Sequence, residues 1–264
     1  QASLASESPA LRRAAVEGLS GLDDVLDKPQ REELAATLVA LLADPDPEVV
    51  MATGGALIRL EGDATAALQG ALAKPALRPI AMELLAEIGP AARPALAEIV
   101  AGLSDPDDNY RTESAMAIAA VGPEAEEAIG PLQQVLEDTA AEPSLRYAAA
   151  YALGRIGPAA LPAEPLIRRL AESDDELMAT VAVWAAFKIK PEDRTLFDAA
   201  IPKLRHALQR DRDIVRLEAA VALGEIGPAA KTALPMLELL AEDDPSRLVR
   251  DAAAEAVRKI DATP

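Results

Sequence analysis

The phrase AAYALGRIGPAA, from Ala149 to Ala160, returns as AAVALGEIGPAA from Ala219 to Ala230. Looser copies run from Met82 to Ala92 (MELLAEIGPAA) and from Ala115 to Pro123 (AMAIAAVGP). The Gly-Pro junctions at 89, 122 and 157 lie 33 and 35 residues apart; Lys190-Pro191 follows 33 later and Gly227-Pro228 another 37 later. A period in this range is the mark of small units that cannot bury an apolar face alone and do so by stacking, which is a solenoid. An all-α solenoid of about seven to eight helix pairs, one repeat domain over 1–264, is therefore expected.

Each unit reads as two helices. The helix before each junction ends at Leu22, Leu60, Ile88, Val121, Ile156, Ile189, Ile226 or Ile260. Glycine at the junction is expected as a left-handed cap, with proline opening the next helix, where its missing N–H costs nothing. Partner helices are predicted near 31–43, 63–73, 93–103, 125–137, 160–172, 197–209 and 230–242, with an insertion at 190–198. Pro131, Pro165, Pro202 and Pro235 fall near the middle of four of them and should bend or restart the helix. Ten residues before the last apolar position, Arg occurs in six of eight copies: Arg12, Arg78, Arg111, Arg146, Arg216 and Arg250. Three and six residues beyond that register the side chains are mostly small, as in Ala149 and Ala152, so neighbouring helices can approach closely.

Only 2% of the residues are aromatic while 50% are hydrophobic, so packing must use Ala, Leu, Ile and Val. The formal net charge of −18 repels phosphate backbones and anionic lipid, which argues against nucleic-acid partners. No apolar run reaches the roughly 18 residues of a membrane span, and none is expected to insert. Without cysteine there is no thiol chemistry. With His206 as the lone histidine, flanked by Arg205 on a helix, a zinc site of the usual kind is excluded. No Gly-x-Ser-x-Gly elbow or phosphate-cradling loop occurs, since the glycines read as helix caps. No catalytic residue, metal or cofactor is expected. Carboxylates recur at turns (Asp44-Asp46-Glu48, Asp105-Asp107-Asp108, Asp174-Asp175-Glu176, Asp211-Asp213, Glu242-Asp243-Asp244), where helix capping is the simpler reading than calcium ligation. The chain opens at Gln1 without Met, which leaves a processed export product or an excised piece open, in the cytoplasm or outside it.

Asp105-Pro106 ahead of Arg111, Asp244-Pro245 ahead of Val249-Arg250, and the Leu-Gly-x-Ile-Gly-Pro phrase resemble HEAT repeats, in particular the bacterial phycobilisome-lyase-type branch. The resemblance covers essentially the whole chain. It implies a right-handed superhelix that serves as a scaffold far more often than as an enzyme. It also implies a ladder of turn Asp and helix Arg between repeats. Asp105/Arg111 and Asp244/Arg250 keep both members, Asp44 faces Val50 and breaks the ladder, and Ser173/Ala179 lack both; Arg146 and Arg216 share the Arg register.

One and five residues after the Arg register lie positions on a common helix face, opposite the small-residue seam. The terminal copies are charged there, whereas the central ones carry Met116, Tyr147, Tyr151, Trp184, Leu217 and Val221. Tyr147, Tyr151, Trp184 and Phe187 are expected to project outward, on the helices that line the concave surface in resembling proteins. An apolar groove over the fourth to seventh copies is thus predicted to bind a peptide or partner helix, rimmed by Glu113, Glu218, Arg155 and Lys188. The competing reading has the 190–198 insertion fold back and bury Trp184 and Phe187 as core. The functional expectation is a monomeric, non-enzymatic protein-interaction module; a structural segment of a longer array comes second, and a tetrapyrrole-handling lyase or chaperone, implied by the resemblance alone, third.

Overall fold

The computed structural model describes residues 2–22 and 25–262, with the side chains of 2 and 194–199 outside the described part. The described residues are helical throughout their regular structure and contain no strand. They form two compact units divided at Pro131/Leu132.

The first unit holds α1 (Pro9–Ser20), α2 (Lys28–Val39), α3 (Pro47–Arg59), α4 (Gly62–Leu72), α5 (Arg78–Ile88), α6 (Leu96–Ala101) and α7 (Asp108–Val121). Helix α8 (Ile129–Glu137) begins at its end. The second unit holds α9 (Pro143–Ile156), α10 (Glu164–Leu170), α11 (Glu176–Ile189), α12 (Arg194–Ala207), α13 (Asp213–Ile226), α14 (Leu234–Asp243) and α15 (Arg247–Asp261). Within the first unit α1, α3, α5 and α7 pack in succession, with α2, α4 and α6 behind them. Within the second, α9, α11, α13 and α15 do the same, with α10, α12 and α14 behind. Each unit is thus a stack of helical hairpins in two layers.

The small-residue seam is the core of that stacking. Ala81, Ser114, Ala149, Ala182, Ala219 and Ala253 are fully buried, as are Ala117, Ala152 and Ala185 three residues on. Two glycines of the repeated phrase lie inside helices rather than at caps, correcting the expectation that all serve as terminators. A Cβ on Gly224 would stand 2.8 Å from the Ala256 Cα of α15, so only glycine permits α13 and α15 to meet this closely. Gly154 plays the equivalent part between α9 and α11.

The junction glycines Gly89, Gly122, Gly157 and Gly227 have φ of 68° to 75° and ψ of −128° to −140°. This is the first corner of a type II′ turn rather than the left-handed cap expected, and it excludes a side chain more strongly. Glu61 occupies the same corner at φ 47°, the one non-glycine among the described residues with positive φ. Beyond the junctions the chain continues as 3₁₀ turns at Gly89–Ala95, Gly157–Ala163 and Gly227–Ala233 before α6, α10 and α14 start. Pro165 and Pro235 fall in the first turn of those new helices, where proline is tolerated, so the restart was the right expectation at both positions. Pro202 stays inside α12. The expected insertion at 190–198 falls partly on side chains outside the described part.

Turn carboxylates cap helices: Asp46, Asp107 and Asp175 each accept two backbone N–H groups at the start of α3, α7 and α11. The Arg–Asp ladder exists, but its rungs are offset by one repeat from the pairing expected. Arg12 grips both oxygens of Asp44 at 2.7 Å, so that position is not a break. Arg216 grips Asp244 at 2.7 and 3.0 Å and Arg78 reaches Asp105 at 2.5 Å, while in the second layer, outside the ladder, Arg31 of α2 reaches Asp63 of α4 at 2.5 Å. The guanidinium projects from its own helix to the turn of the following hairpin, which is why Asp105/Arg111 and Asp244/Arg250 do not pair by side chain. Arg111 instead donates to the Leu103 carbonyl and Asp108, and Arg250 to the carbonyls of Asp244 and Pro245. Asp44, Asp105 and Asp244 also accept the backbone N–H two residues ahead at 2.9 Å. Ser173 makes the same turn contact to Asp175 but offers no charge, and the Nε of Arg146, one repeat earlier, is buried without a partner.

Candidate functional site

Tyr147, Tyr151 and Arg155 follow one another at four-residue spacing along α9 and therefore share a face. They do not form an open apolar groove. The Tyr151 ring stacks on Trp184 of α11 with centroids 4.9 Å apart and planes 14° from parallel. Trp184 donates its indole N–H to Glu225 of α13 at 2.8 Å. Lys188 lies 5.9 Å from the indole and 3.2 Å from the same Glu225 carboxylate. The exposed Arg155 guanidinium stands 6.0 Å from the Tyr151 ring and donates to its hydroxyl at 3.3 Å. Together these contacts tie α9, α11 and α13 side by side.

Trp184 is only 5% exposed, which corrects the expectation that it projects outward. The cause is Gly154. A Cβ there would stand 2.9 Å from the indole Cε3 and 3.0 Å from the Ala185 Cα, so the missing methyl is the slot into which the ring fits. Tyr151 of α9 and Glu225 of α13 supply cover; the side chains of 194–199, on which the competing reading depends, lie outside the described part. Trp184 is a packing element here and not a binding anchor. Phe187 and Leu217 are half-buried, while Val221 and Ile214 keep 37% exposure each. Tyr147 is half-buried and donates its hydroxyl to Asp175; burial, then that carboxylate, pushes its phenol up to about 12. Glu218 is half-buried, and its carboxyl is raised by desolvation and then by the charge of Glu225. His206 is exposed, with Arg210 at 3.3 Å from its Nε2.

The first unit presents a different surface. Met116 on α7 is 45% exposed and Met51 on α3 is 72% exposed, both at positions the seam does not dictate. Between α5 and α7 runs an open trough of ≈ 760 Å³, walled by Pro79, Ile80 and Met116 and floored by the buried Met82. Its charged residues are Glu83, Glu87 and Glu113, all exposed. None of the three has a hydrogen-bond or ion-pair partner among the described residues. Burial, then the charges of Asp107 and Glu83, holds the Glu113 carboxyl above the usual range. Sequence reasoning singled out Met116 and Glu113 but missed that α5 supplies the facing wall. Pro79 and Glu83 stand in the same two register positions and were the available signal.

Residues 96–187 and 163–258 match the family profile of HEAT repeats. No curated protein matches the sequence. Among solved structures, the complex of CpcE and CpcF of phycocyanin lyase from Nostoc sp. PCC7120 is similar at 22% identity, with a TM-score of 0.57 over 87% of this chain and 94% of that one. Kap95p, in a complex with RanGDP, is similar at 14% identity and a TM-score of 0.59; the match takes in 98% of this chain but 41% of Kap95p. Kap121p bound to the SUMO protease Ulp1p gives 13% identity and a TM-score of 0.56, with 95% of this chain against 32% of that one. At these identities the likeness carries the fold, an α-solenoid, and the chain spans well under half of either karyopherin.

Proposed function

Given that the chain belongs to the HEAT-repeat family, we propose that it is a non-catalytic interaction module that binds a peptide or helix of a protein partner. Within each unit the candidate binding residues lie on the side away from the seam, on α3, α5 and α7 in the first and on α9, α11 and α13 in the second. The observation that carries this reading is the contrast between two sets of positions. Seam residues Thr53, Ala117 and Ala219 are fully buried, while Met51, Met116 and Val221 stay 72%, 45% and 37% exposed on the same three helices. Apolar side chains that stay at the surface of these helices, methionine above all, can adapt to a partner's apolar face. Of the residues first picked out, Met116, Tyr147, Tyr151, Leu217, Val221, Arg155 and Lys188 remain candidates to meet a partner, whereas Trp184 acts through packing. The solved relatives support the class of function, since CpcE is in a complex with CpcF, Kap95p with RanGDP and Kap121p with Ulp1p.

Selection from a displayed peptide library tests this. Native protein should enrich related sequences, and Met116→Asp and Val221→Asp should each abolish part of that enrichment. Leu239→Asp, on the exposed side of α14 in the other layer, should not. Enrichment indifferent to Met116→Asp and Val221→Asp would refute the reading. A second reading, a role in handling a bilin, is favoured by the similarity to the phycocyanin lyase subunits. It expects an absorbance change when bilin is added; an unchanged spectrum would dispose of it.

A further inference from the structure

We propose that the α5–α7 trough of the first unit receives a cationic amphipathic segment of its partner, one apolar face flanked by Lys or Arg. This rests on the interaction-module reading and adds the chemistry of the ligand. The apolar half of the argument is the wall of Pro79, Ile80 and Met116 over Met82, in which methionine adapts to the shape of an inserted side chain. The polar half is charge. Every charged residue lining the trough is a carboxylate, and Glu83, Glu87 and Glu113 have no cation paired to them among the described residues.

Deeper carboxylates of the first unit are matched within the chain: Asp105 by Arg78, Asp63 by Arg31, Asp44 by Arg12. The three exposed glutamates of the trough are left for a cation from outside. Glu113 is disfavoured in its charged form by burial and then by its neighbours Asp107 and Glu83, and a cation brought beside it offsets the repulsion. Single small cations would satisfy the charge but leave the apolar wall wet. An anionic segment would add repulsion to three unpaired glutamates. A segment that is apolar in the middle and basic at its edges meets both.

The test uses the full chain and a fluorescein-labelled helical peptide of Leu, Ala and Lys, about 14 residues or roughly 21 Å long. A scrambled peptide of equal charge and a counterpart with Glu in place of Lys accompany it, and binding is read by fluorescence anisotropy. The Lys peptide should bind saturably, and more weakly as salt screens the pairs. Glu83→Gln/Glu113→Gln should weaken binding by about tenfold, as expected for two partly exposed ion pairs. Met116→Ser should weaken it further, while the matched control Glu7→Gln/Glu33→Gln, outside the trough, should change it less than about twofold. Equal losses in the trough variant and the control, or equal binding of the scrambled peptide, would reduce the effect to bulk charge and overturn the proposal. Preference for the Glu peptide would overturn the cationic assignment while leaving the interaction-module reading intact. Binding of none of these peptides, together with an empty library selection, would overturn both.

Discussion

Gly154→Ala is a substitution that should stabilise an ordinary helix and should damage this one. In a helix interior, alanine is favoured over glycine by about 1 kcal/mol. At Gly154 the added methyl would lie 2.9 Å from the Trp184 Cε3 and 3.0 Å from the Ala185 Cα. The backbone of α11 cannot yield without moving the whole stack. The indole cannot yield without leaving its 2.8 Å hydrogen bond to Glu225 and its stack on Tyr151. Overpacking of this kind costs about 1–3 kcal/mol, and loss of the indole hydrogen bond adds about 1 kcal/mol. Set against the propensity gain, the expected net loss is about 2 kcal/mol. Urea unfolding followed by circular dichroism and by the fluorescence of the single tryptophan reads both the loss and a red shift of Trp184. Gly70→Ala, in α4 with nothing within 4 Å of the added methyl, is the control and should gain up to about 1 kcal/mol. In a Trp184→Leu background, Gly154→Ala should lose most of its penalty, because the two residues are coupled. A Gly154→Ala protein as stable as Gly70→Ala would refute the slot argument.

Glu61→Gly should stabilise by about 1 kcal/mol in thermal unfolding, because φ 47° with ψ −127° strains any residue with a Cβ. Asp244→Asn should destabilise by about 2–3 kcal/mol at neutral pH, because the buried Arg216 charge loses its counter-charge and one of its two side-chain acceptors, keeping the carbonyls of Arg210 and Asp211. The hydrogen bond from Arg216 holds the Asp244 carboxyl below its ordinary value. Its contribution is therefore complete above the unfolded pKa of about 3.9 and fades as pH falls through the folded one. An acid-unfolding curve should lose part of its acid-limb slope in Asp244→Asn. Ser173→Asp should raise the melting temperature by offering Arg146 the carboxylate that Asp44 and Asp244 offer their own partners; no change would show that Arg146 cannot reach it. Spectrophotometric titration should show Tyr147 ionising near about 12, and Asp175→Asn should lower this only in part, since burial is the larger cause.

The repeat and its seam were legible in the sequence because both are set by local rules. A helix end needs glycine and proline at fixed places, and a close-packed face needs small side chains at helical spacing. Most helix ends accordingly fall where the last apolar residue was read, as at Ile88, Val121, Ile156 and Ile226. Relations between repeats were harder to see. Arg12 and Asp44 are 32 residues apart, and no property of either shows that the guanidinium reaches forward to the next hairpin rather than sideways within its own. Trp184 misled for the same reason. Its register position faces outward on an isolated helix, but a glycine on the neighbouring helix opens a slot that draws the ring in. Met116 was legible as an exposed apolar residue, yet its trough is made by α5, and which two helices bound a cavity is a property of their packing.

The measurement closest to the central claim uses the five methionines as reporters. With their methyl groups labelled, addition of the Lys-flanked amphipathic peptide should shift the signals of Met116 and Met82, which line the trough, saturably and together. Met178 and Met236, in the second unit, should stay in place. Shifts centred on Met178 or Met236, with Met116 and Met82 unmoved, would contradict recognition in the α5–α7 trough.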